Sequence, residues 1–228
     1  MDDSTRRSGS SISLDLAAGT EFFAGEYRLA LTRQVVRAAR GDWPDAEAGL
    51  GQLIDRPGQP GIMRSLARSL LARLLGRRGA WSEADDTLAP AVAEAAGSDE
   101  IHLVGPVVVA QLELMWLRGQ DRDMERLAHR GLEVADRCGH RSSRAEIQRW
   151  RRRAGYRVEP EGCEPGPWAP ALVGDWRAAA DAWTRLGDRY ERALELAGSG
   201  DAAATDEGLA LLADLGATAT TARLRAAR

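Results

Sequence analysis

The sequence predicts an all-α protein, built as a solenoid of helical hairpins that ends in a divergent C-terminal helical block. Three observations predict this class. A Gly-x-aromatic corner recurs along the chain, the residues after each corner follow the period of an α-helix, and the alternation typical of half-buried strands is almost absent. The length of 228 residues is enough for one extended domain or two small ones.

The recurring corner is the strongest indication of repeats. Gly-x-Trp stands at three of the corners, with a degenerate Gly-Gln-Asp between the second and third of them, and the corner glycines are Gly41, Gly79, Gly119 and Gly174. The first two intervals lie near the period of paired-helix repeats, about 34 to 47 residues, and the third is longer by one short segment. Glycine permits the backbone conformation that ends a helix. Asp42 or Ser82 can then accept hydrogen bonds from the first amides of the next helix.

A stripe of small and apolar residues follows each corner. Three positions beyond the aromatic slot the chain has Ala46, Ala84 and Ala179, and the degenerate unit has Met124. Mostly larger residues stand seven and ten positions beyond the slot, the last of them Leu186. Offsets of 3, 7 and 10 share one face of an α-helix, so neighbouring helices can pack there. The residues predicted to build the corners are Gly41, Trp43, Ala46, Gly79, Trp81, Ala84, Gly119, Gly174, Trp176 and Ala179.

The composition excludes some classes of chemistry. The chain has no Lys, so it has neither a Lys-dependent phosphate loop nor a catalytic lysine. Its net charge of −3 is not that of a polyanion-binding protein. No apolar run approaches the roughly 18 residues of a membrane span. Two cysteines are too few for a disulfide framework, which favours a reducing cytoplasm.

Composition shifts divide the chain into four segments. Residues 1–18 are polar and Ser-rich, and we expect a disordered N-terminal tail. Residues 19–155 carry the helical repeats. Residues 156–170 contain four prolines and two glycines, which predicts a linker or an irregular loop. Residues 171–228 form the C-terminal helical repeat block.

Two units resemble the tetratricopeptide repeat, which has Gly-Asp-aromatic at its internal turn and Ala three residues later. They are Gly41-Asp42-Trp43 with Ala46, and Gly174-Asp175-Trp176 with Ala179. The resemblance implies a tetratricopeptide-like solenoid of stacked helix pairs, a fold used for protein binding.

The last third resembles a narrower family. The phrase W-x-R-L-G-x-x-Y-E-x-A-L at Trp183–Leu194, supported by Leu215–Arg225, is similar to a segment of the large actinobacterial LuxR/MalT-like ATP-binding transcriptional regulators. There it closes the repeat region, just before the DNA-binding helix-turn-helix. The resemblance implies a sensor and coupling region that acts on neighbouring ATPase and DNA-binding domains in signal transduction. This sequence contains neither of those domains, so we expect either a fragment or a free-standing relative.

The leading functional hypothesis is a non-enzymatic domain that binds a protein, a peptide or a small-molecule effector, without a cofactor. The first helix of each pair lines the concave side of a solenoid. Candidate contact residues on these helices are Arg33, Arg37, Arg73, Gln111 and Met115. The histidines and cysteines lack the paired spacing of a metal site and form no recognisable catalytic constellation. A free-standing interaction scaffold is an alternative.

The segment Arg141–Arg157 gives a second hypothesis, because it holds seven arginines opposed only by Glu146. It predicts a nucleic-acid-binding face with Trp150 available for stacking, and with contacts from Arg149, Arg152 and Arg153. The competing interpretation is an amphipathic helix that buries Ile147 and Trp150 and keeps its arginines at the surface. We favour this second interpretation, because the chain as a whole is acidic, and we expect no nucleic acid or membrane to bind through this region.

Overall fold

The computed structural model describes residues 25–58 and 61–226, and all of its regular elements in these ranges are helices. The predicted all-α class is thereby confirmed. The helices are α1 (25–40), α2 (Trp43–Asp55), α3 (Gly61–Arg78), α4 (Trp81–Ala95), α5 (Ile101–Leu117), α6 (Met124–Arg137), α7 (Arg141–Arg153), α8 (Trp168–Val173), α9 (Trp176–Leu186), α10 (Arg189–Ala197), α11 (Ala202–Asp214) and α12 (Thr218–Ala226), with a 3₁₀ turn at Asp121–Asp123. The predicted tail, residues 1–18, lies outside the described residues.

Each corner glycine ends one helix and leads into the next. All four have a positive φ, between 72° at Gly119 and 96° at Gly41, a region that residues with a Cβ rarely adopt. The indole of Trp43 donates a hydrogen bond to the carbonyl of Ala38 at 3.0 Å, which ties the start of α2 to the end of α1. The predicted cap at Asp42 is wrong, because its carboxylate accepts no bond from α2. Asp175 does accept one, from the amide of Ala178 at 3.1 Å.

The predicted stripe packs the helices. Ala46, Ala84, Met124 and Ala179 are all fully buried. Leu186 differs from the prediction, since its side chain is 63% exposed. It is the last residue of α9, where Gly187 turns the chain into α10, so the stripe ends one turn earlier in this unit.

The helices form two layers. The first helix of each successive pair packs against the next, α3 against α5 and α5 against α7, and α4 and α6 lie outside them. The chain then returns, because α12 packs on α3 and α5. The hydroxyl of Thr218 donates to the carbonyl of Arg78 at 2.6 Å, and Arg223 Nε donates to the carbonyl of Trp116 at 2.8 Å. The C-terminal block, α9–α12, is therefore docked on the repeats.

The predicted linker is a packed loop at its centre. No helix is present from residue 156 to residue 167, and α8 begins at Trp168, inside the segment predicted to be irregular. Cys163 is buried with Ala145 and Leu172. Arg141 donates to the carbonyl of Cys163 at 2.9 Å, which fastens the loop to α7. Within the described part of the chain, no helix has both the length and the apolar character needed to cross a lipid bilayer.

The corner conformation predicts opposite effects for two Gly→Ala substitutions. Gly79 has φ +88°, while the nearest atom to an added Cβ would be 3.7 Å away, so Gly79→Ala strains only the backbone. We expect it to lower the free energy of unfolding by about 1–2 kcal/mol. Gly51 lies inside α2 with open space around its Cα, so Gly51→Ala is expected to raise that free energy by about 0.5–1 kcal/mol. Urea unfolding followed by tryptophan fluorescence measures both, and equal effects would contradict the corner assignment.

Candidate functional site

The docked interface between the repeats and α10, called the seam below, is centred on the carboxylate of Glu191. Arg149 Nη2 donates to Glu191 Oε1 at 2.7 Å, and both Nη atoms of Arg153 donate to Oε2 at 3.4 Å. The two arginines project from α7, so these bonds join the repeats to the C-terminal block. Arg153 also donates to Glu195 Oε1 at 2.7 Å. All four side chains are buried or nearly so.

A second buried carboxylate extends the ion pairs into the repeats. Glu113 of α5 is fully buried and accepts a bond from Arg77 Nε at 2.7 Å and another from Arg73 Nε. Arg73 also pairs with Glu146 of α7 at 3.3 Å and lies 3.8 Å from Glu191. One network of ion pairs thus connects α3, α5, α7 and α10. These charges are compensated only when all four helices are in their native positions.

The lowered pKa values of Glu191 and Glu113 keep these two carboxylates ionised at neutral pH. Burial alone would raise the pKa of Glu191, but the positive charges of Arg149 and Arg153 outweigh it and lower that pKa to about 2. Burial likewise opposes ionisation of Glu113, and Arg73 and Arg77 lower its pKa below the ordinary value. A buried ion pair contributes little net stability but is costly to break on one side only. The network therefore specifies where α10 docks.

Asp188, beside this network, is a carboxyl group whose pKa is raised, whereas those of Glu191 and Glu113 are lowered. Its side chain caps α10 by accepting the amide hydrogen of Glu191 at 2.9 Å. Burial raises the pKa of Asp188 to about 6, and the negative charge of Glu191 adds to the effect. The seam thus contains one carboxyl group that changes charge just below neutral pH.

Arg149 is only partly satisfied. Its side chain is 2% exposed, yet Nε and Nη1 make no hydrogen bond to any described residue. The guanidinium carbon lies 5.1 Å from the centre of the Trp183 ring, so stacking compensates some of the charge. Buried guanidinium hydrogens without acceptors are uncommon and require an explanation.

A cavity of 520 Å³ opens beside Arg149 in the seam. It lies between α7, the corner before α9, α10 and α12, and its lining includes Arg149, Arg152, Arg153 and Trp176. Arg152 is exposed and has no hydrogen bond or ion pair among the described residues. Its Nη2 approaches within 2.6 Å of the position that a Cβ on Gly174 would occupy. The absence of a side chain at this corner therefore leaves room for the guanidinium.

A second cavity of 250 Å³ lies nearer to α1. Its lining includes Val35 on α1, Arg73 on α3, Trp183 on α9 and Asp188. Arg149 reaches this cavity as well as the first one. The Arg149 side chain therefore borders both cavities of the seam.

The structure does not gather the predicted contact residues on one open concave surface. Arg33 is exposed on α1, and Arg37 donates to Gln34 Oε1 at 3.3 Å. Gln111 and Met115 are partly buried on α5. Arg73 on α3 already binds a carboxylate of the chain itself, and so do Arg149 and Arg153 on α7. The reason is that α10 occupies the inner side of the repeats.

The arginine-rich helix follows the amphipathic interpretation at Ile147 and Trp150, which are fully buried. Trp150 is therefore not available for stacking on a base. The expectation of surface arginines fails at Arg149, which is buried because Glu191 faces it. Several other arginines of this helix also pair with carboxylates, namely Arg144 with Asp136, Arg151 with Glu125, and Arg153 with Glu195.

The carboxylates of the seam are not among the site residues predicted from the sequence. Glu113 stands in the apolar run Val107–Leu117, and a charged residue at such a position is buried only when it is paired. That pattern was available from the sequence. Glu191 gave no comparable indication, because its helix is rich in charge. As for metals, the described residues contain no group of His, Cys, Asp or Glu side chains arranged to hold an ion.

No family model, no curated protein and no solved structure matches the chain. The resemblance of Trp183–Leu194 to the large transcriptional regulators therefore stays a prediction.

Replacing Glu191 tests the seam. Glu191→Gln leaves Arg149 buried without its counter-charge, while Arg153 keeps Glu195, so we expect the free energy of unfolding at pH 7 to fall by about 3–5 kcal/mol. The lowered pKa means that the carboxylate stabilises the fold above its ordinary value of 4.5 and loses that effect as the pH falls toward 2. The difference between wild type and variant should therefore shrink below pH 4.5. The control Glu207→Gln removes an exposed pair with Arg192 and should change stability by less than about 1 kcal/mol.

The raised pKa of Asp188 predicts the opposite dependence of folding stability on pH. Because its pKa is raised from 3.8 to about 6, the folded state holds the proton more tightly, and stability falls as the pH rises through this interval. Asp188→Asn keeps an oxygen for the cap and removes the ionisation. We expect the variant to be more stable than wild type at pH 7 by about 1–2 kcal/mol, and the two to converge only below the ordinary pKa of 3.8, at about pH 3. Urea unfolding at both pH values measures this, and a variant that is less stable at pH 7 would refute it.

Proposed function

We propose that the chain is a non-enzymatic helical-repeat domain that binds an effector, and that it is the sensor and coupling region of a LuxR/MalT-like transcriptional regulator. The single observation that carries the binding and coupling role is the seam. A C-terminal block is docked on the repeats through ion pairs, beside a cavity that both parts line. The resemblance of Trp183–Leu194 supports the family assignment.

The seam is suited to coupling because its contacts are discrete. The ion pairs between α7 and α10 form in one relative position of the two helices. A small displacement of either helix leaves buried charges uncompensated. A ligand that binds better to one arrangement than to another shifts the balance between them. In the family that the chain resembles, this block stands directly before the DNA-binding domain. A change in its docking would therefore reach that domain first.

The occupied inner side favours a small effector over a long peptide. Glu191 and Glu195 of α10 already bind the arginines that an acidic peptide would need. A peptide would have to displace α10, whereas a small molecule can enter the 520 Å³ cavity beside it. The cavity volume lies in the range usual for small-molecule sites, about 300–1,000 Å³.

The coding region on either side of this chain tests the regulator assignment. An ATP-binding module encoded before residue 1 and a helix-turn-helix encoded after residue 228, in the same reading frame, is the expected result. A frame that contains neither would overturn that assignment and leave a free-standing binding protein.

Hydrogen exchange tests whether the C-terminal block can respond as a unit. In Glu191→Gln, the backbone amides of α10, α11 and α12 should lose protection by a larger factor than those of α2 and α4, because the lost charge lies at the seam. Mass spectrometry of the exchanging chain provides the measurement, with Glu207→Gln as the control. An equal loss of protection in every helix would show that the chain opens as one body and would contradict the coupling role.

A further inference from the structure

We infer that the 520 Å³ cavity of the seam binds a small organic monoanion, a carboxylate carried on a flat apolar group. This inference rests on the proposed function, because it names the class of effector that the same seam would take. Three observations carry it: the local charge, the unused donors of Arg149 and the composition of the cavity wall.

The charges at the cavity leave one guanidinium uncompensated. Arg149, Arg152 and Arg153 line it, and the carboxylates bound to them are Glu191 and Glu195. Three positive charges thus face two negative ones. Of these three arginines, Arg152 is the one that has no partner among the described residues, and it lies against the Gly174 corner. A ligand with a single negative charge balances this count, whereas a dianion would exceed it.

The hydrogen-bond donors point to an oxygen ligand. Arg149 Nε and Nη1 are buried and have no acceptor among the described residues, although the same side chain lines the cavity. A guanidinium presents its N–H groups as a planar fork that suits the two oxygens of a carboxylate. A carboxylate held at Arg152, beside the buried side chain of Arg149, would supply the acceptor that the protein itself does not give Arg152.

The remaining wall supplies apolar and aromatic surface. Trp176 at the start of α9, Leu194 of α10 and Leu224 of α12 contribute to it. The ring of Tyr156 is fixed, because its hydroxyl donates to the carbonyl of Asp121 at 2.8 Å. Fixed rings beside aliphatic side chains favour a flat group. These residues come from the C-terminal block and from the end of the repeats, so one ligand would contact both sides of the seam.

Calorimetric titration of the full chain tests the inference, with naphthoate as the probe. Its neutral amide, naphthamide, has the same shape without the charge, and naphthyl phosphate carries the greater charge. We expect saturable binding of naphthoate with one site per chain, and affinities at least about tenfold weaker for the other two compounds. Equal binding of naphthoate and naphthamide, or no binding of naphthoate, would overturn the inference.

Arg152→Gln is the decisive variant. Because Arg152 is exposed and unpaired, the fold should be as stable as the wild type, which urea unfolding can verify. Naphthoate affinity should fall about tenfold. The matched control is Arg126→Gln, which removes another exposed arginine, on α6, and should leave affinity unchanged. If both variants bind as tightly as wild type, the anion is not held at this cavity.

The outcomes separate this inference from the proposed function. If Arg152→Gln weakens naphthoate binding and bound naphthoate does not alter hydrogen exchange in α10–α12, the anion site stands and the coupling role fails. If naphthoate does not bind but Glu191→Gln loosens the C-terminal block selectively, the anion site fails and the coupling role keeps its support.

Discussion

The buried carboxylate of Glu191 is the constraint on which the rest of this structure depends. It lies on α10, and its partners Arg149 and Arg153 lie on α7, at the end of the repeats. A carboxylate and two guanidinium groups removed from water are acceptable only when each is close to its counter-charge. The position of the whole C-terminal block is therefore coupled to the position of α7. Through Arg73 and Glu113 the same requirement extends to α3 and α5.

The corner glycines serve this docking as well as the repeats. Gly41 turns the chain from α1 into α2, and the side chain of Leu215 lies only 2.5 Å from where its Cβ would be. At Gly79 the nearest neighbour of an added Cβ is Ala219 on α12. The missing side chain at Gly41 thus allows Leu215 to pack across the corner, whereas at Gly79 the 3.7 Å separation would accommodate a methyl group. The spacing that builds a solenoid also prepares the surface on which its final block docks.

Local patterns in the sequence predicted the fold well and the site poorly. The corners, the small residues such as Ala46 and Ala84, and the burial of Ile147 and Trp150 all follow from spacing along one helix. The seam depends on contacts between residues far apart in sequence, such as Arg149 with Glu191, and no helical period reports them. For the same reason the arginines of α7 were assigned to the surface. A dense arginine run on a helix is ambiguous until its facing carboxylates are known, and here they come from α10.

The two kinds of interface in the molecule respond differently to their surroundings. Apolar contacts such as those made by Ala84 and Leu88 lose free energy gradually with displacement and do not depend on pH. The ion pairs of the seam are directional, depend on protonation and leave two donors of Arg149 without acceptors. An anion, a proton or a displaced carboxylate therefore acts more strongly on the ion pairs that join α3, α5, α7 and α10 than on the apolar contacts of α4. A displacement of the last block would reach α7 first and, through Arg73 and Glu113, also α3 and α5, while the apolar contacts of the outer helices are less affected.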